Sequence, residues 1–529
     1  MLCLVADADL RRRMMEIGSE AGMDAPRAPN GAPLPRGHGH VGIIAFLGAM
    51  QALTLTAGFA RWKVVALLLG PSGMGVASII DQVAQVVVQV GSLSLPLVAL
   101  RFLSIARAER PASFGSLYGT LMRLMLAGTV VMSSITLVAY LVRPALFGRG
   151  LAAFPVAVLL GVAAVPHTGA ANLLRNALST LERYRSAAIV AFWSSVALAA
   201  ATFAGIRAGG LDGLYAGSWV VAAGTHLVLY ALIRRQPLIR NHSSDGTLRS
   251  IAAQHPEVLR FLIPVYVVGF TIPLSYSVVR LTVLHDMGAE QVGYLAAAFT
   301  IATSVRSVLN QGTAQFLTPI VSRPGPVEAR ASAAAEYVRS LSLFALAVVL
   351  PLVLFPHEIV FGLFSRRFAP AISFLFLFVL AEVVLLLGDA YRVLLIGLGD
   401  TTGFLMTTLS ATVLLTAGVV LTVPRFGVLG AGAAHLTGGI FALLASFVRL
   451  RGRHQVTFAR RTLIAPAFCA TALAIGGLLG RALADPGAMG WALKSAYYVV
   501  ACGASLSLLS SDERGRMRSA LRRRVTNLR

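Results

Sequence analysis

Four cations stand within or at the ends of long apolar runs: Arg61, Lys63, Arg280 and Arg306. Arg at a helix centre costs about 2.5–3.5 kcal/mol on the insertion scale, so each is expected to face a protein cavity and not lipid. The chemistry open to them is anion binding, because guanidinium presents a planar, always-charged fork to phosphate or carboxylate oxygens. Polar residues accompany them at helical spacing. Gln51, Thr54, Gly58 and Arg61 share one face, as do Gln82, Gln85, Gln89, Ser92 and Pro96. Pro273, Ser277 and Arg280 form a third stripe, and Thr303, Arg306, Asn310 and Thr313 a fourth. Such stripes serve as glue between helices, but four of them in matching places point to one shared hydrated cavity. Its expected lining is Arg61, Lys63, Arg280, Arg306, Gln85, Gln89 and Asn310.

Three acids sit in the same apolar context: Asp81, Glu382 and Asp389. They are candidates for proton or sodium coupling, with a structural Asp389–Arg392 pair as the competing reading. The run around Arg306 holds no acid of its own, so Arg306 is expected to be free for a ligand. His167, His226 and His435 read as packing residues. The turn Gly70-Pro-Ser-Gly-Met-Gly75 lacks the Gly-Lys-Ser/Thr ending of a phosphate loop and has no strand before it. Cys3, Cys469 and Cys502 are isolated, giving neither a disulfide framework nor a metal pattern. No catalytic constellation is present, so the expectation is a non-enzyme without cofactor or metal.

The elements that must position these residues are membrane helices. The chain is 57% hydrophobic and 13% charged, with mean hydropathy +0.76. A soluble domain carries about 25% charge. Apolar runs long enough to span a bilayer recur, predicting fourteen spans at about 42–66, 76–100, 118–142, 151–172, 187–206, 212–233, 258–283, 292–318, 338–361, 370–395, 402–423, 427–448, 462–483 and 491–510. The net charge of +23 reads as orientation and headgroup contact, with no nucleic acid as partner. With a cytoplasmic N-terminus, 32 of the 45 Arg and Lys fall in cytoplasmic segments and their flanks and 10 outside. Both termini are therefore expected in the cytoplasm.

The layout around Gly70 and Gly75 repeats at Gly288 and Gly293, with Arg280 falling between the positions of Arg61 and Lys63. The offset covers six spans, an even number, which predicts two parallel six-helix lobes. The expected organisation is a disordered tail (1–40), an N-terminal lobe (41–233), a basic linker (234–257), a C-terminal lobe (258–450), two further helices (451–510) and a basic tail (511–529). The fold class is thus an all-α polytopic membrane protein.

At Arg61 to Val76, at Gly91 to Arg101 and at Arg280 to Ala298, with Pro319 closing the eighth span, the chain resembles the polysaccharide transporter branch of the MOP superfamily. That branch comprises Wzx-like oligosaccharide flippases and is related to MATE exporters and the lipid II flippase. The resemblance covers about 41–450; the long N-tail and the Gly- and Ala-rich last two helices depart from it. It implies a MATE-like V of two lobes, alternating access, and movement of an undecaprenyl-diphosphate-linked oligosaccharide across the bacterial inner membrane for polysaccharide biosynthesis. Implied partners are the lipid-linked substrate, membrane lipids, and glycosyltransferase and polymerase machinery. The cavity cations would meet diphosphate and anionic sugars. Arg306→Ala is expected to abolish transport at unchanged protein level. Competing readings are a MATE-type exporter of organic cations, which would want an acidic or aromatic cavity, and a membrane enzyme of polysaccharide assembly, which would want a long catalytic loop.

Overall fold

The computed structural model describes residues 38–109, 111–147, 149–240, 256–313, 317–321, 326–458, 460–483 and 487–508, and among them no strand occurs. The main helices are α1 (His38–Ser92), α2 (Leu95–Glu109), α3 (Phe114–Val142), α4 (Pro155–Ala163), α5 (Val165–Thr180), α6 (Tyr184–Arg234), α7 (Pro256–Met287), α8 (Ala289–Gly312), α9 (Val327–Leu354), α10 (Ile372–Gly397), α11 (Thr401–His454), α12 (Arg460–Ala482) and α13 (Ala488–Ser507). Ten stretches are long and apolar enough to cross a membrane. Three of them fold back at glycine: α1 at Gly70, α6 at Gly209–Gly210 and α11 at Gly427. The limbs of each hairpin touch, as where Arg61 meets Asp81 and where Gly205 and Gly213 pack backbone to backbone. Counting both limbs of each hairpin and adding α13, the described residues form fourteen helical segments. It is a multi-pass, all-helical membrane protein. The aliphatic side chains exposed along α3 (Val131, Ile135, Val138, Leu141) face where hydrocarbon belongs, and a helix suits that setting because its interior backbone groups bond within it.

Span boundaries differ from the sequence reading in instructive places. The expected span 76–100 breaks at Leu93 and Ser94, both left-handed (φ 51° and 54°), and resumes as α2. The expected span 151–172 is joined at Ala164 from α4 and α5 and runs on to Thr180. The tail before residue 38, most of the linker (241–255) and the basic C-tail lie outside the described residues.

Leu47–Arg529 form one compact unit; of Met1–Phe46, only the helical backbone from His38 onward is described. Within the larger unit α2 to α6 pack chiefly on one another, and so do α7 to α12, with α13 laid on α9 and α12. This gives two groups of packed helices, with α13 added at the C-terminal end of the second. Gly70 and Gly288 occupy the left-handed region (φ 69° and 87°) where a Cβ would strain the chain. Gly75 and Gly293 are required for another reason. A Cβ on Gly75 would lie 1.9 Å from the Ala289 carbonyl oxygen, and one on Gly293 would lie 1.9 Å from that of Pro71. Each contact is the other's image under the repeat, as a twofold relating the lobes requires. The lobes are sealed backbone to backbone at the Gly70 end.

Asp400 closes the joint between α10 and α11. Its carboxylate accepts from the Gly403 N–H at 2.9 Å, as a helix cap, and from Arg449 Nε at 2.8 Å and Nη2 at 3.1 Å. His454 Nε2 lies 3.2 Å away. Burial would push this carboxyl up, but the hydrogen bonds from Arg449, Gly403 and His454 hold it well below the usual carboxylate range.

Candidate functional site

The Gly70 hairpin brings residues twenty apart into contact. Arg61 Nη2 on the first limb of α1 reaches Asp81 Oδ2 on the second at 3.1 Å. Asp81 Oδ1 accepts from the Tyr215 hydroxyl of α6 at 2.9 Å, and that hydroxyl also lies 2.7 Å from the Ala77 carbonyl. Beside this trio the N-terminal lobe forms an open cavity of about 490 Å³. Gln85 and Gln89 line it from α1, Asn172 and Arg175 from α5, and Ser194 and Ser195 from α6. Asp81 is the sole acid among its lining residues, and both of its oxygens are engaged. Asp81 to Gln89 is eight residues, so this wall of the cavity extends about 12 Å along the helix.

The C-terminal lobe gathers a second cluster. Arg306 of α8 donates to Asp389 Oδ2 through Nη2 at 2.7 Å and Nε at 3.1 Å, and to Glu382 Oε2 through Nη1 at 3.2 Å. Glu382 Oε1 faces His435 Nε2 at 3.0 Å, and Asp389 Oδ1 accepts from Arg392. Every carboxylate oxygen of both acids is taken. Tyr276, Phe299 and Phe378 wall His435 with their rings. A small cavity of about 40 Å³ lies beside Arg306, Arg392 and His435, with Thr408 and Thr412 across it.

This corrects the sequence reading of Arg306. No acid stands near it along α8, yet α10 carries two acids seven residues apart on one face and packs against α8. Arg306 is an ion-paired residue, and the Asp389–Arg392 pair exists beside it. The single cavity with four cations is also corrected: Arg61, Asp81, Gln85 and Gln89 come together in one lobe, and Arg306, Glu382 and Asp389 in the other. Lys63 belongs to neither; its Nζ donates to the Gly362 carbonyl across the lobe boundary. Arg280 also stands apart, over the Phe299 ring at 5.3 Å, donating to its own Tyr276 carbonyl at 3.2 Å, with no ion pair among the described residues. Asn310 is half-buried and lines neither cavity.

The stripes divide in the same way. Gln82 Nε2 donates to the Pro273 carbonyl at 2.9 Å and ties α1 to α7. Thr54, Ser277 and Thr303 return their hydroxyls to carbonyls four residues back, which needs no cavity. Arg175 is the functional candidate that the sequence hid. The expected span ended at 172, placing Arg175 in a basic loop, whereas α5 continues to Thr180 and turns it inward. The signal was present as Thr168, Asn172 and Arg175 at helical spacing.

Solved structures share this architecture. A structure described as lipid II flippase MurJ in an inward closed conformation matches with TM-score 0.67 and 11% identity, over 88% of this chain and 98% of its own. An inward-facing multidrug resistance MATE family transporter of the MOP superfamily matches with TM-score 0.60 and 15% identity, over 77% and 94%. The MATE multidrug transporter DinF-BH matches with TM-score 0.57 and 16% identity, over 79% and 96%. No family model matches the sequence, nor does any curated protein. These structural neighbours are transporters and a flippase, and at such low identity they show a common fold. The chain is a multi-pass membrane protein with the fold of MOP-superfamily transporters, MATE-like and MurJ-like.

Proposed function

We propose that this protein flips a lipid-linked oligosaccharide, carried on undecaprenyl diphosphate, from the cytoplasmic to the periplasmic leaflet of the bacterial inner membrane, by alternating access between its lobes. The observation that carries the reading is the lining of the N-terminal cavity. Its ionic groups are a closed Arg61–Asp81 pair and a further arginine, and the rest of its polar wall is amide and hydroxyl. Amides and hydroxyls match the donors and acceptors of sugars, and surplus guanidinium matches phosphate. An organic cation would want an acid free to receive it, and Asp81 is held by Arg61 and Tyr215. The resemblance of fold to a lipid II flippase supports this reading; the resemblance to MATE exporters supports the alternative of small-molecule export. With both termini in the cytoplasm, as the charge bias directs, the sealed Gly70 end faces the periplasm. Glycosyltransferases and a polymerase would supply the substrate and take up the product.

Coupling in this reading uses a proton and not sodium. Glu382 and Asp389 present no free oxygen to a sodium ion, because Arg306, Arg392 and His435 occupy all four. The test is reconstitution in proteoliposomes with a fluorescent lipid-linked oligosaccharide, leaflet by leaflet, beside ethidium efflux. Flipping without ethidium transport is expected. Ethidium efflux without flipping would replace this reading by the exporter.

A further inference from the structure

Two histidines face each other inside the N-terminal lobe. Nδ1 of His167 on α5 and Nδ1 of His226 on the second limb of α6 are 3.2 Å apart. The ring centroids lie 5.5 Å apart with the planes tilted by 50°. Trp219 meets His167 at an edge, 6.2 Å between centroids, and Tyr230 meets His226 in the same way at 6.4 Å. Both histidines are half-buried. Their chain neighbours Thr168 and Thr225 line the N-terminal cavity, so the pair sits in the seam between two of its walls.

Two ring nitrogens this close hold one hydrogen between them. In the neutral pair one Nδ1–H donates and the other Nδ1 accepts through its lone pair. A first proton goes to the bare Nε2 of the donor ring, which keeps the contact and makes it charge-assisted. A second proton has only the accepting Nδ1 to go to. Two N–H groups then face each other on two cationic rings, with no acceptor between them, and the contact must open. A water oxygen accepting from both nitrogens lies about 2.9 Å from each, which parts them by about 2 Å or more.

No acid stands by to hold the doubly charged pair together. Among the described residues neither ring has another hydrogen bond or an ion pair. Of the elements packed on α5 and α6, α4 has no ionisable side chain, α3 carries Tyr118, Arg123 and Tyr140, α2 carries Arg101, Arg107 and Glu109, and the short helix Pro237–Arg240 carries Arg240. Arg107 pairs with Glu182, and on the α1 wall of the cavity Arg61 pairs with Asp81. On α5 itself Arg175 follows His167 by eight residues. The acid of α6, Asp212, stands beside the Gly209–Gly210 turn, about 20 Å along the helix from His226.

We propose that His167 and His226 form a proton-operated latch on the N-terminal cavity. With one proton or none the pair fastens the second limb of α6 to α5; with two it releases them and widens the cavity between these walls. Histidine is the side chain whose charge changes near neutral pH, where a proton gradient acts. The latch rests on the two rings; its bearing on transport rests on the flippase reading, in which it gives the coupling proton a place to bind.

The test uses the full-length protein in detergent, with Cys3, Cys469 and Cys502 replaced by alanine. Spin labels are placed on Ser179→Cys in the last turn of α5 and Arg234→Cys in the last turn of α6. Their separation is read by double electron–electron resonance from about pH 8 to about pH 4.5. In this labelled parent it should grow by about 2 Å or more as pH falls. Asparagine offers an amide in place of Nδ1 and takes no proton, so His226→Asn should keep the high-pH separation throughout. His167→Asn should do the same and serves if His226→Asn does not fold. A constant separation in the parent down to about pH 4.5, or the parent's movement repeated in either variant, would overturn the latch. In proteoliposomes the flipping rate should change over the pH interval in which the labels move, and should be level there in the variants; a variant that follows the parent's profile would overturn the link to transport. A parent whose labels move but which flips no oligosaccharide at any pH would strike the flippase reading and leave the latch standing.

Discussion

Replacing Arg306 by alanine should first damage the fold and only through it the function. Arg306 makes three hydrogen bonds to two carboxylates, two to Asp389 and one to Glu382. The Glu382 side chain is 1% exposed and that of Asp389 17%, so both charges are largely withdrawn from water. Breaking a buried pair by removing one partner typically costs about 3–5 kcal/mol. Each acid keeps a second partner, His435 or Arg392, which places the expected loss near the lower end, about 3 kcal/mol. Against a total stability of about 5–15 kcal/mol, that is enough to reduce the amount of folded protein. The expectation of lost transport at unchanged protein level is therefore replaced. The assay is thermal unfolding in detergent together with a double-mutant cycle, Arg306→Ala against Asp389→Asn. The pair should couple by about 0.5–3 kcal/mol, because residues in one hydrogen-bonded network are not additive. Wild-type expression and melting for Arg306→Ala, with additive double-mutant behaviour, would refute the view that these ions hold the C-terminal lobe together.

Gly75→Ala and Gly293→Ala should each destabilise by about 1–3 kcal/mol, since overpacking a closed contact forces backbone shifts. Gly224→Ala, which meets nothing within 4 Å, should not; equal melting of all three would refute the close approach of the lobes. Asp400→Asn should lower stability at neutral pH, because the native carboxyl titrates below its unfolded value. That contribution is fully present above the unfolded pKa of about 3.9 and is lost as pH falls toward the depressed native value, so the gap between wild type and variant should narrow only below about pH 4. A gap that instead narrows between about pH 6 and pH 8 would contradict the assignment. Sodium should not raise the melting temperature, whereas a saturable sodium shift abolished by Glu382→Gln would reopen the C-terminal cluster as a cation site. Cysteine labelling at Arg240 and Gly487 should report cytoplasm and periplasm respectively; the same side for both would break the topology.

Class, the fourteen helical segments and the repeat could be read from the chain alone. They follow from local rules: about twenty apolar residues cross a bilayer, and glycine marks the places where the chain reverses or where backbones must touch. Gly70, Gly75, Gly288 and Gly293 were legible because a constraint that only glycine satisfies recurs at the same spacing. The polar stripes were legible as faces, since the helical repeat of about 3.6 residues per turn fixes which side chains align. What each face meets was not, because that depends on which helices the fold places side by side. Arg306 has no acid along its own helix, and only the packing of α10 against α8 supplies Glu382 and Asp389. Arg175 looked like one more loop cation until α5 was seen to continue past residue 172 and carry it into the cavity. Asp81 reads as a coupling acid in the sequence, yet the hairpin at Gly70 and the approach of Tyr215 close both of its oxygens. The identity of a charged residue in a membrane helix is local information. Its partner sits on another helix, tens of residues away, so the packing of the helices settles whether the charge serves the fold or is left for a ligand.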